Sequence, residues 1–205
     1  MRYDITMLGR RIYLDYASAT PLHPHVVKAM ARALENCYGN PSAPHEEGRK
    51  AKEAMTEARA MIARSLSVKP DELLFTSGGT EANNIAVRGL AEGLRARGAE
   101  FCHMHFITST IEHSSLIEAF RMLERDGAKI SWLSPTPEGI MSPEAIVKAV
   151  RKETALVSLA HVNSEIGTIQ PMAEISTMIY RSSHQSALSR VAPETRFPVL
   201  HVDAA

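Results

Sequence analysis

Residues 155–165 read ALVSLAHVNSE, a short apolar run that ends in a cluster of polar residues. Similar apolar runs at 106–108, 129–133 and 197–202 alternate with segments whose apolar residues recur at helical spacing. Strands that are apolar on both faces are typical of parallel sheets, because the crossover helices cover both faces. The pattern therefore predicts an α/β fold with a mainly parallel sheet flanked by helices.

Two amphipathic helices and a further strand are predicted ahead of these units. Residues 26–37 and 44–66 carry apolar residues at helical spacing, and residues 73–75 form an apolar run before the glycine turn at 77–79. Both helices are expected to bury their apolar stripes, and residues 73–75 are expected to form a buried strand. The stripe residues are Val26, Val27, Met30, Ala33, Leu34 and Cys37 in the first helix and Ala51, Ala54, Met55, Ala58, Met61 and Ile62 in the second.

The length of 205 residues fits one domain or part of two and is sufficient for a sizeable core. The whole chain, 1–205, is interpreted as a portion of one domain. Within it, residues 1–20 are interpreted as an N-terminal segment and the aperiodic polar run at 181–198 as a surface loop. The chain balances 23 Lys and Arg against 23 Asp and Glu and has no long basic run. This balance argues against binding to nucleic acids or to anionic membranes.

Neither a secretory signal nor a membrane span is predicted. Charged residues interrupt the apolar residues of 1–11, and no apolar run approaches the ~20 residues that a spanning helix needs. A cytoplasmic location is therefore expected. Cys37 and Cys102 form no CxxC pair and are interpreted as reduced structural thiols, with Cys37 facing inward.

Polar residues follow the predicted strands at their carboxyl ends, where open α/β sheets bind ligands. The turn at 77–80, Ser-Gly-Gly-Thr, opens a helix, so its backbone N–H groups, its hydroxyl and the helix dipole suit a phosphate. A glycine turn with an ordinary helix cap explains the same residues. The turn has neither the lysine of a Walker A loop nor a GxGxxG pattern, which argues against nucleotide binding.

Three further candidates stand at the ends of predicted strands. Asp203 follows an apolar strand, so its carboxylate needs a partner, either a protonated pyridine nitrogen or a structural cation or helix end. His113 could stack on a flat cofactor or carry a proton, or it could cap a helix. Asn163 could donate a hydrogen bond to a ring oxygen.

The histidines at 103 and 105 are a weaker candidate. They are expected to lie on one side of a strand end and to face the surface, with Cys102 on the opposite side. No third ligand is apparent near the two imidazoles, so no metal site is predicted.

Six motifs, in order along the chain, resemble those of class V, fold-type I pyridoxal-phosphate (PLP) enzymes, and most closely those of cysteine desulfurases. The resemblance covers the N-terminal part of the family's large domain. The motifs are Tyr13–Pro21 for the opening segment, Tyr38–Ser42 for the GNPS loop, Thr76–Asn84 for the TSGxTExxN turn, Glu112 and His113 for the EH pair, His161–Gly167 for the HVNNEIG segment, and His201–Ala204 for the HVDA segment.

The resemblance implies a cofactor site for PLP. It implies that Gly79 and Thr80 hold the phosphate, that His113 stacks on the ring and carries protons in catalysis, and that Asp203 pairs with the ring nitrogen. Asn163 is implied to contact the phenolic side of the ring.

The resemblance also implies an activity and partners. The activity is the release of sulfur from L-cysteine as an enzyme persulfide with alanine as product, and Asn40 resembles the residue near the substrate carboxylate. The implied partners are a second copy, as a homodimer, and a sulfur-acceptor or scaffold protein in a process such as iron–sulfur cluster assembly. Two other functions fit the residues: a selenocysteine lyase or another class V enzyme, and a non-catalytic remnant that serves dimerisation or scaffold binding.

The sequence departs from the family pattern at three places. Ser164 stands where Asn is common, and the segment 181–198 looks longer than the family's usual link. The family's Schiff-base lysine, its small domain and its sulfur-accepting cysteine would follow Ala205 and are not in this sequence. Because covalent PLP chemistry needs that amine, the 205-residue chain is expected to bind the cofactor poorly and to be inactive alone.

Overall fold

The computed structural model describes residues 12–16, 18–182 and 186–205. Parts of three predicted segments lie outside the described residues: 1–11 of the N-terminal segment, Ala17 of the opening motif, and 183–185 of the surface loop. The contacts of the chain divide it into two compact units, Met1–Phe75 and Thr76–Ala205.

Two helices and the loop between them make up most of the first unit. Helix α1 spans Pro24–Asn36 and helix α2 spans Glu46–Leu66. Helix α2 begins at the cap residue His45, whose Nδ1 accepts the N–H of Gly48 at 3.2 Å. It ends at Ser67, which adopts the left-handed conformation with φ 57°.

Both helices leave most of their apolar stripes exposed, so the prediction that these stripes are buried is wrong. In α1, all of whose residues are described, no side chain is buried, and Leu34 is 78% exposed. The buried residues of α2 are Gly48, Ala51 and Ala63. Helical spacing identifies the apolar face of a helix, but the element that covers it is set by distant parts of the chain.

Residues 73–75 form no strand within the described part of the chain, which corrects a second prediction. Leu74 and Phe75 are exposed, and the Arg59 guanidinium lies 4.6 Å from the centroid of the Phe75 ring. Arg59 also donates a hydrogen bond to the Leu73 carbonyl. A strand requires a hydrogen-bonding neighbour, and a run of three apolar residues does not reveal whether one exists.

The second unit contains a four-stranded parallel sheet, which confirms the predicted α/β fold. Its strands are β1 (His105–Ser109), β2 (Lys129–Leu133), β3 (Thr154–Ala160) and β4 (Val199–Asp203), in the order β2-β1-β3-β4. All three pairings are parallel. The carboxyl ends of the strands therefore meet at one edge of the sheet, called the carboxyl edge below.

Among the described residues of the second unit, five α-helices accompany the sheet: α3 (Gly79–Asn84), α4 (Leu90–Ala96), α5 (Ser114–Arg125), α6 (Pro143–Ala149) and α7 (Met172–Ser182). Successive strand residues face opposite sides of the sheet, so there is one core on each face. Phe106 packs in the core that contains α5 residues such as Phe120, and Ile107 packs in the core that contains Ile146 and Ile175. In the described residues, no helix is long and apolar enough to cross a membrane.

The segment 181–198 contributes to the first of these cores. It contains a short 3-10 turn, Ala187–Arg190, and it buries Leu188, Ala192 and Phe197 to 4% exposure or less. The polar composition of the segment hides these three apolar anchors.

A π-helical turn, Ile85–Gly89, joins α3 to α4. Asn83, Val87 and Ala91 are all buried, although eight residues of a regular α-helix, at about 100° each, would rotate the last about 80° away from the first. The wider π turn holds the three residues on one side. It therefore lets a polar residue at the carboxyl edge and the apolar residues of the core project from the same helix face.

Candidate functional site

Four segments of the second unit meet at the carboxyl edge. Asn83, near the end of the short helix α3, donates from Nδ2 to Asp203 Oδ2 at 2.9 Å, which joins this helix to the end of β4. The His161 N–H donates to the Asp203 carbonyl at 2.8 Å, and Asn163 Nδ2 donates to the Ile111 carbonyl at 2.8 Å. These hydrogen bonds join α3 to the end of β4, and the segment after β3 to the end of β4 and to the segment after β1.

The glycine turn before α3 leaves open space at the helix start. A Cβ added to Gly78 would meet no atom within 4 Å, and one added to Gly79 would lie 3.8 Å from the Cβ of Ala205. Thr80 is exposed in the first turn of α3, where backbone N–H groups have no intrahelical acceptor. Helix starts of this kind bind anions.

Glu81 stabilises the same turn from within. Its Oε2 accepts the Ser77 N–H at 2.6 Å and the Ser77 hydroxyl at 2.7 Å. These hydrogen bonds lower the pKa of the Glu81 carboxyl below its ordinary value, and the bond from the Ser77 backbone N–H has the larger effect. The hydroxyl of Ser77 is therefore committed to Glu81, whereas Thr80 faces solvent.

Asp203 is the last residue of β4 and is partly exposed. Its Oδ2 accepts Asn83 and its Oδ1 accepts the Ala205 N–H at 3.1 Å. A carboxylate has about four lone-pair sites, so Asp203 can accept a further donor. Sequence reasoning assigned no role to Asn83, although the residue lies inside the quoted Thr76–Asn84 motif.

His113 caps helix α5 and also keeps its ring exposed, which is compatible with both alternatives that the sequence left open, a helix cap and a ligand contact. It is the N-cap of α5, because its Nδ1 accepts the Ser115 N–H at 3.2 Å, as the capping alternative predicted. The Ser115 hydroxyl lies 2.8 Å from the same Nδ1. His113 is otherwise exposed, which leaves its ring available to a ligand.

Asn163 organises the turn after β3. It is 9% exposed, and its Oδ1 accepts the N–H groups of Glu165 and Ile166 at 2.9 and 3.0 Å. One Nδ2 proton is used on Ile111. Because a carboxamide has two N–H donors, one remains for a ligand.

Glu112 is a buried carboxyl that sequence reasoning did not single out beyond the EH pair. It is 7% exposed, and it accepts hydrogen bonds from the Ser109 hydroxyl and, at 2.8 Å, from the Ala160 N–H. Burial raises the pKa of Glu112 to about 7, against the opposing effect of these hydrogen bonds and with a contribution from the negative charge of Asp203. Glu112 therefore links the last residue of β1 to the last residue of β3, at the carboxyl edge.

Asn40 belongs to the first unit. Its Oδ1 accepts the Ser42 N–H at 2.9 Å and its carbonyl accepts the Ala43 N–H at 2.9 Å, which closes a tight turn. A Cβ added to Gly48 would lie 2.7 Å from the Asn40 carbonyl oxygen. The start of α2 thus holds this turn in place.

The predicted arrangement of the two histidines at 103 and 105 is wrong. His103 lies in a 3-10 turn and is exposed, whereas His105 starts β1 and is fully buried. The ring of His105 contacts the hydroxyls of Thr154 and Ser131 at 2.8 and 2.9 Å, and burial lowers its pKa to about 4. Cys102 is exposed and so is no core thiol. The ligand atoms of Glu100, Cys102 and His103 lie within 4.8 Å of one another on the surface.

These features define an α/β protein with a ligand site at the carboxyl edge of a parallel sheet. The chain belongs to the class-V aminotransferase family, whose sequence profile matches residues 12–188. This family depends on PLP. The predicted family resemblance is thereby confirmed.

Curated relatives narrow the comparison to cysteine desulfurases. The cysteine desulfurase IscS of Dictyoglomus turgidum is 45% identical over 169 residues, which is 82% of this chain and 42% of the relative. The cysteine desulfurase IscS of Pseudomonas fluorescens is 39% identical over 197 residues, which is 95% of this chain and 44% of the relative. The chain therefore spans less than half the length of these relatives.

Solved structures share the fold. A NifS-like protein superposes with a TM-score of 0.80 at 31% identity, over 96% of this chain and 49% of the other. SspA in complex with cysteine superposes with a TM-score of 0.76 at 36% identity, over 82% of this chain and 47% of the other.

Proposed function

We propose that the chain forms the PLP-binding part of a cysteine desulfurase, which releases sulfur from L-cysteine as an enzyme persulfide and leaves alanine. The observation that carries the proposal is the Asn83–Asp203 hydrogen bond, which joins α3, one turn after the glycine turn that suits a phosphate, to a carboxylate at the end of β4. The names of the relatives, and the cysteine bound to SspA, favour cysteine as the substrate.

The residues at the carboxyl edge fit PLP by their chemistry. The cofactor carries a phosphate at one side of its ring and a basic nitrogen at another, and when bound it supplies an electron sink for amino-acid substrates. The amides of Gly79 and Thr80 would hold the phosphate in the open space at the start of α3. The remaining lone pairs of Asp203 would accept the ring N–H.

The other predicted residues would surround the ring. His113 would place its exposed imidazole over the ring face and hold a proton on Nε2, since its Nδ1 is already used within the chain. Asn163 would direct its second N–H toward the phenolic oxygen. Asn40 would bind the substrate carboxylate, and a sulfur acceptor or a second copy of the chain would be the protein partners.

We further propose that the 205-residue chain does not turn over by itself. The lysines of the second unit are Lys129, Lys148 and Lys152. Lys129 begins β2 and Lys152 precedes β3, at the end of the sheet opposite to the carboxyl edge. Lys148 lies in the last turn of α6, which leads into the start of β3. A strand of five to seven residues is about 17–23 Å long, so these three amines are too far from the carboxyl edge to reach the site.

The test is a titration of the chain with PLP and, in parallel, with unphosphorylated pyridoxal, followed by ligand fluorescence. Loss of a charged hydrogen bond costs about tenfold in affinity. We expect Asp203→Asn to weaken both ligands by about that factor, and Thr80→Val to weaken PLP alone. Asp126→Asn, a change at an exposed carboxylate elsewhere in the second unit, is the matched control.

Equal PLP affinity in the wild type and Asp203→Asn would refute the site. Release of alanine from L-cysteine by the PLP-loaded chain would instead refute the proposed inactivity while leaving the site intact. The two parts of the proposal are therefore tested separately.

A further inference from the structure

A continuous set of hydrogen bonds runs from Asp203 to His113. Asn83 Nδ2 lies 2.9 Å from Asp203 Oδ2 and 3.0 Å from Ser115 Oγ. Ser115 Oγ in turn lies 2.8 Å from His113 Nδ1. Asn83 is 4% and Ser115 9% exposed, so the two central groups are shielded from water.

The protons in this set can be placed by chemistry alone. An ionised carboxylate only accepts hydrogen bonds, so Asn83 must turn its NH2 group toward Asp203. That nitrogen has two protons, and its second one points to Ser115 Oγ. Because Ser115 Oγ accepts this proton, its own hydroxyl proton is free to donate to His113 Nδ1.

The proton position on His113 follows from this order. His113 Nδ1 accepts two hydrogen bonds, one from the Ser115 hydroxyl and one from the Ser115 N–H. A neutral imidazole has one N–H and one bare nitrogen, so its proton must be on Nε2. Nδ1, which is hydrogen-bonded within the chain, is therefore the acceptor, and Nε2, which is left for a ligand, is the donor.

We propose that Asn83 and Ser115 are positioning residues that transmit the charge of Asp203 to His113 and hold its ring as the Nε2–H tautomer. This inference rests on the proposed function and deepens it, since it would give the bound cofactor a fixed proton donor at His113 Nε2. An ionised Asp203 sets the direction of the three hydrogen bonds between side chains, while the Ser115 N–H donates to His113 Nδ1 in any case. With a neutral group at position 203, the Asn83 amide could rotate and present its oxygen to Ser115. The Ser115 hydroxyl would then donate to Asn83 and no longer to His113 Nδ1.

The experiment is ¹⁵N NMR of the imidazole nitrogens in the cofactor-free chain, at a pH where His113 is neutral. We expect Nδ1 of His113 to show the signal of a hydrogen-bonded acceptor and Nε2 the signal of an N–H. An Nδ1–H signal in the wild type would overturn the proposal without any variant, so variants that fail to fold do not leave it unresolved.

A double-mutant cycle tests the transmission itself. Asp203→Asn is expected to shift the His113 Nδ1 signal, and this shift should fall to less than half in a Ser115→Ala background. Ser114→Ala, a change at the neighbouring exposed residue of α5, should leave the shift intact, and Ser115→Thr should restore it. An equal shift with and without the Ser115 hydroxyl would refute the relay.

The double-mutant cycle and the PLP titration test the two proposals separately, so either proposal can be refuted without the other. The NMR measurement uses no cofactor, so a relay that is present in a chain without PLP affinity would refute only the proposed function. PLP binding by a chain in which Asp203→Asn leaves His113 unchanged would refute only the relay.

Discussion

Replacing Glu112 by Gln should remove a large pH dependence from the stability of the second unit. Glu112 is 7% exposed and burial raises its pKa from 4.5 to about 7. A raised carboxyl pKa means that the folded state binds more protons than the unfolded state between these two values. The stability contributed by the neutral carboxyl is therefore complete below pH 4.5 and is lost as the pH rises through about 7.

The magnitude follows from the size of this change. One pKa unit corresponds to ~1.4 kcal/mol, so a rise from 4.5 to about 7 amounts to about 3 kcal/mol. Gln is a fair mimic of the neutral carboxyl, because its carbonyl can accept the Ala160 N–H while its NH2 donates to the Ser109 hydroxyl. Gln has no proton to lose, so the variant should keep its stability where the wild type loses it.

The assay is urea unfolding of the wild type and of Glu112→Gln at a series of pH values from 4.5 to above 7. The expected result is that the variant gains about 3 kcal/mol relative to the wild type over this range. The buried His105, whose pKa is lowered to about 4, makes both proteins more stable as the pH rises toward the ordinary value of 6.5 and cancels in the difference. Glu124→Gln, on the exposed face of α5, is the control and should show no trend.

A difference between the wild type and Glu112→Gln that stays constant across this range would refute the reasoning. A variant that loses stability relative to the wild type as the pH rises would also refute it. Either result would mean that Glu112 is ionised at no cost in the folded chain.

Four other substitutions test packing and hydrogen bonding elsewhere in the chain. Gly48→Ala should destabilise the chain by about 1–3 kcal/mol, because the new Cβ would overlap the Ala43 carbonyl. Gly93→Ala in α4 should instead stabilise it by about 0.5–1 kcal/mol, because its Cβ would meet nothing within 4 Å. Equal shifts of the melting temperature in the two variants would contradict this pair of predictions. Gln170→Met should lower the free energy of unfolding in urea by about 2 kcal/mol. It would leave the buried Met141 N–H and the buried Gly139 carbonyl without the hydrogen bonds that the Gln170 amide now makes to them. Ser142→Ala should cost about 1 kcal/mol by removing the N-cap of α6, and an unchanged midpoint in the same assay would show that the cap is dispensable.

Elements with local signals were predicted accurately. The strand at 129–133 has the predicted bounds, and Ser142 caps a helix whose first residue is Pro143, as the pattern of cap and proline indicated. Their signals lie within a few consecutive residues, so no information from the rest of the fold is needed.

The errors concern properties that depend on distant residues. The segment 73–75 has the composition of a buried strand but no strand partner, and the apolar stripe of α1 has no cover in the described residues. His105 was expected at the surface and lies between hydroxyls of β2 and β3. Alternation along one strand shows which residues share a face, but it cannot show which face is covered.

The candidate site was predictable in part for the same reason. The placement of Asp203 and Asn163 follows from the rule that ligands bind at the carboxyl ends of parallel strands. The contributions of Asn83, Ser115 and Glu112 are hydrogen bonds between residues that are 32 to 120 positions apart. Such pairs leave no trace in the local pattern of a single sequence.

The π-helical turn at Ile85–Gly89 has a consequence for how this protein can change in length during evolution. Such a turn accommodates one residue more than an α-helix would between the same two ends. Loss of one residue inside it would leave Asn83 and Ala91 seven positions apart, which two α-helical turns match to within about 20°. A one-residue deletion is therefore expected to be tolerated there, whereas the same deletion in α3 would rotate the residues before it by about 100° and carry the glycine turn away from β4.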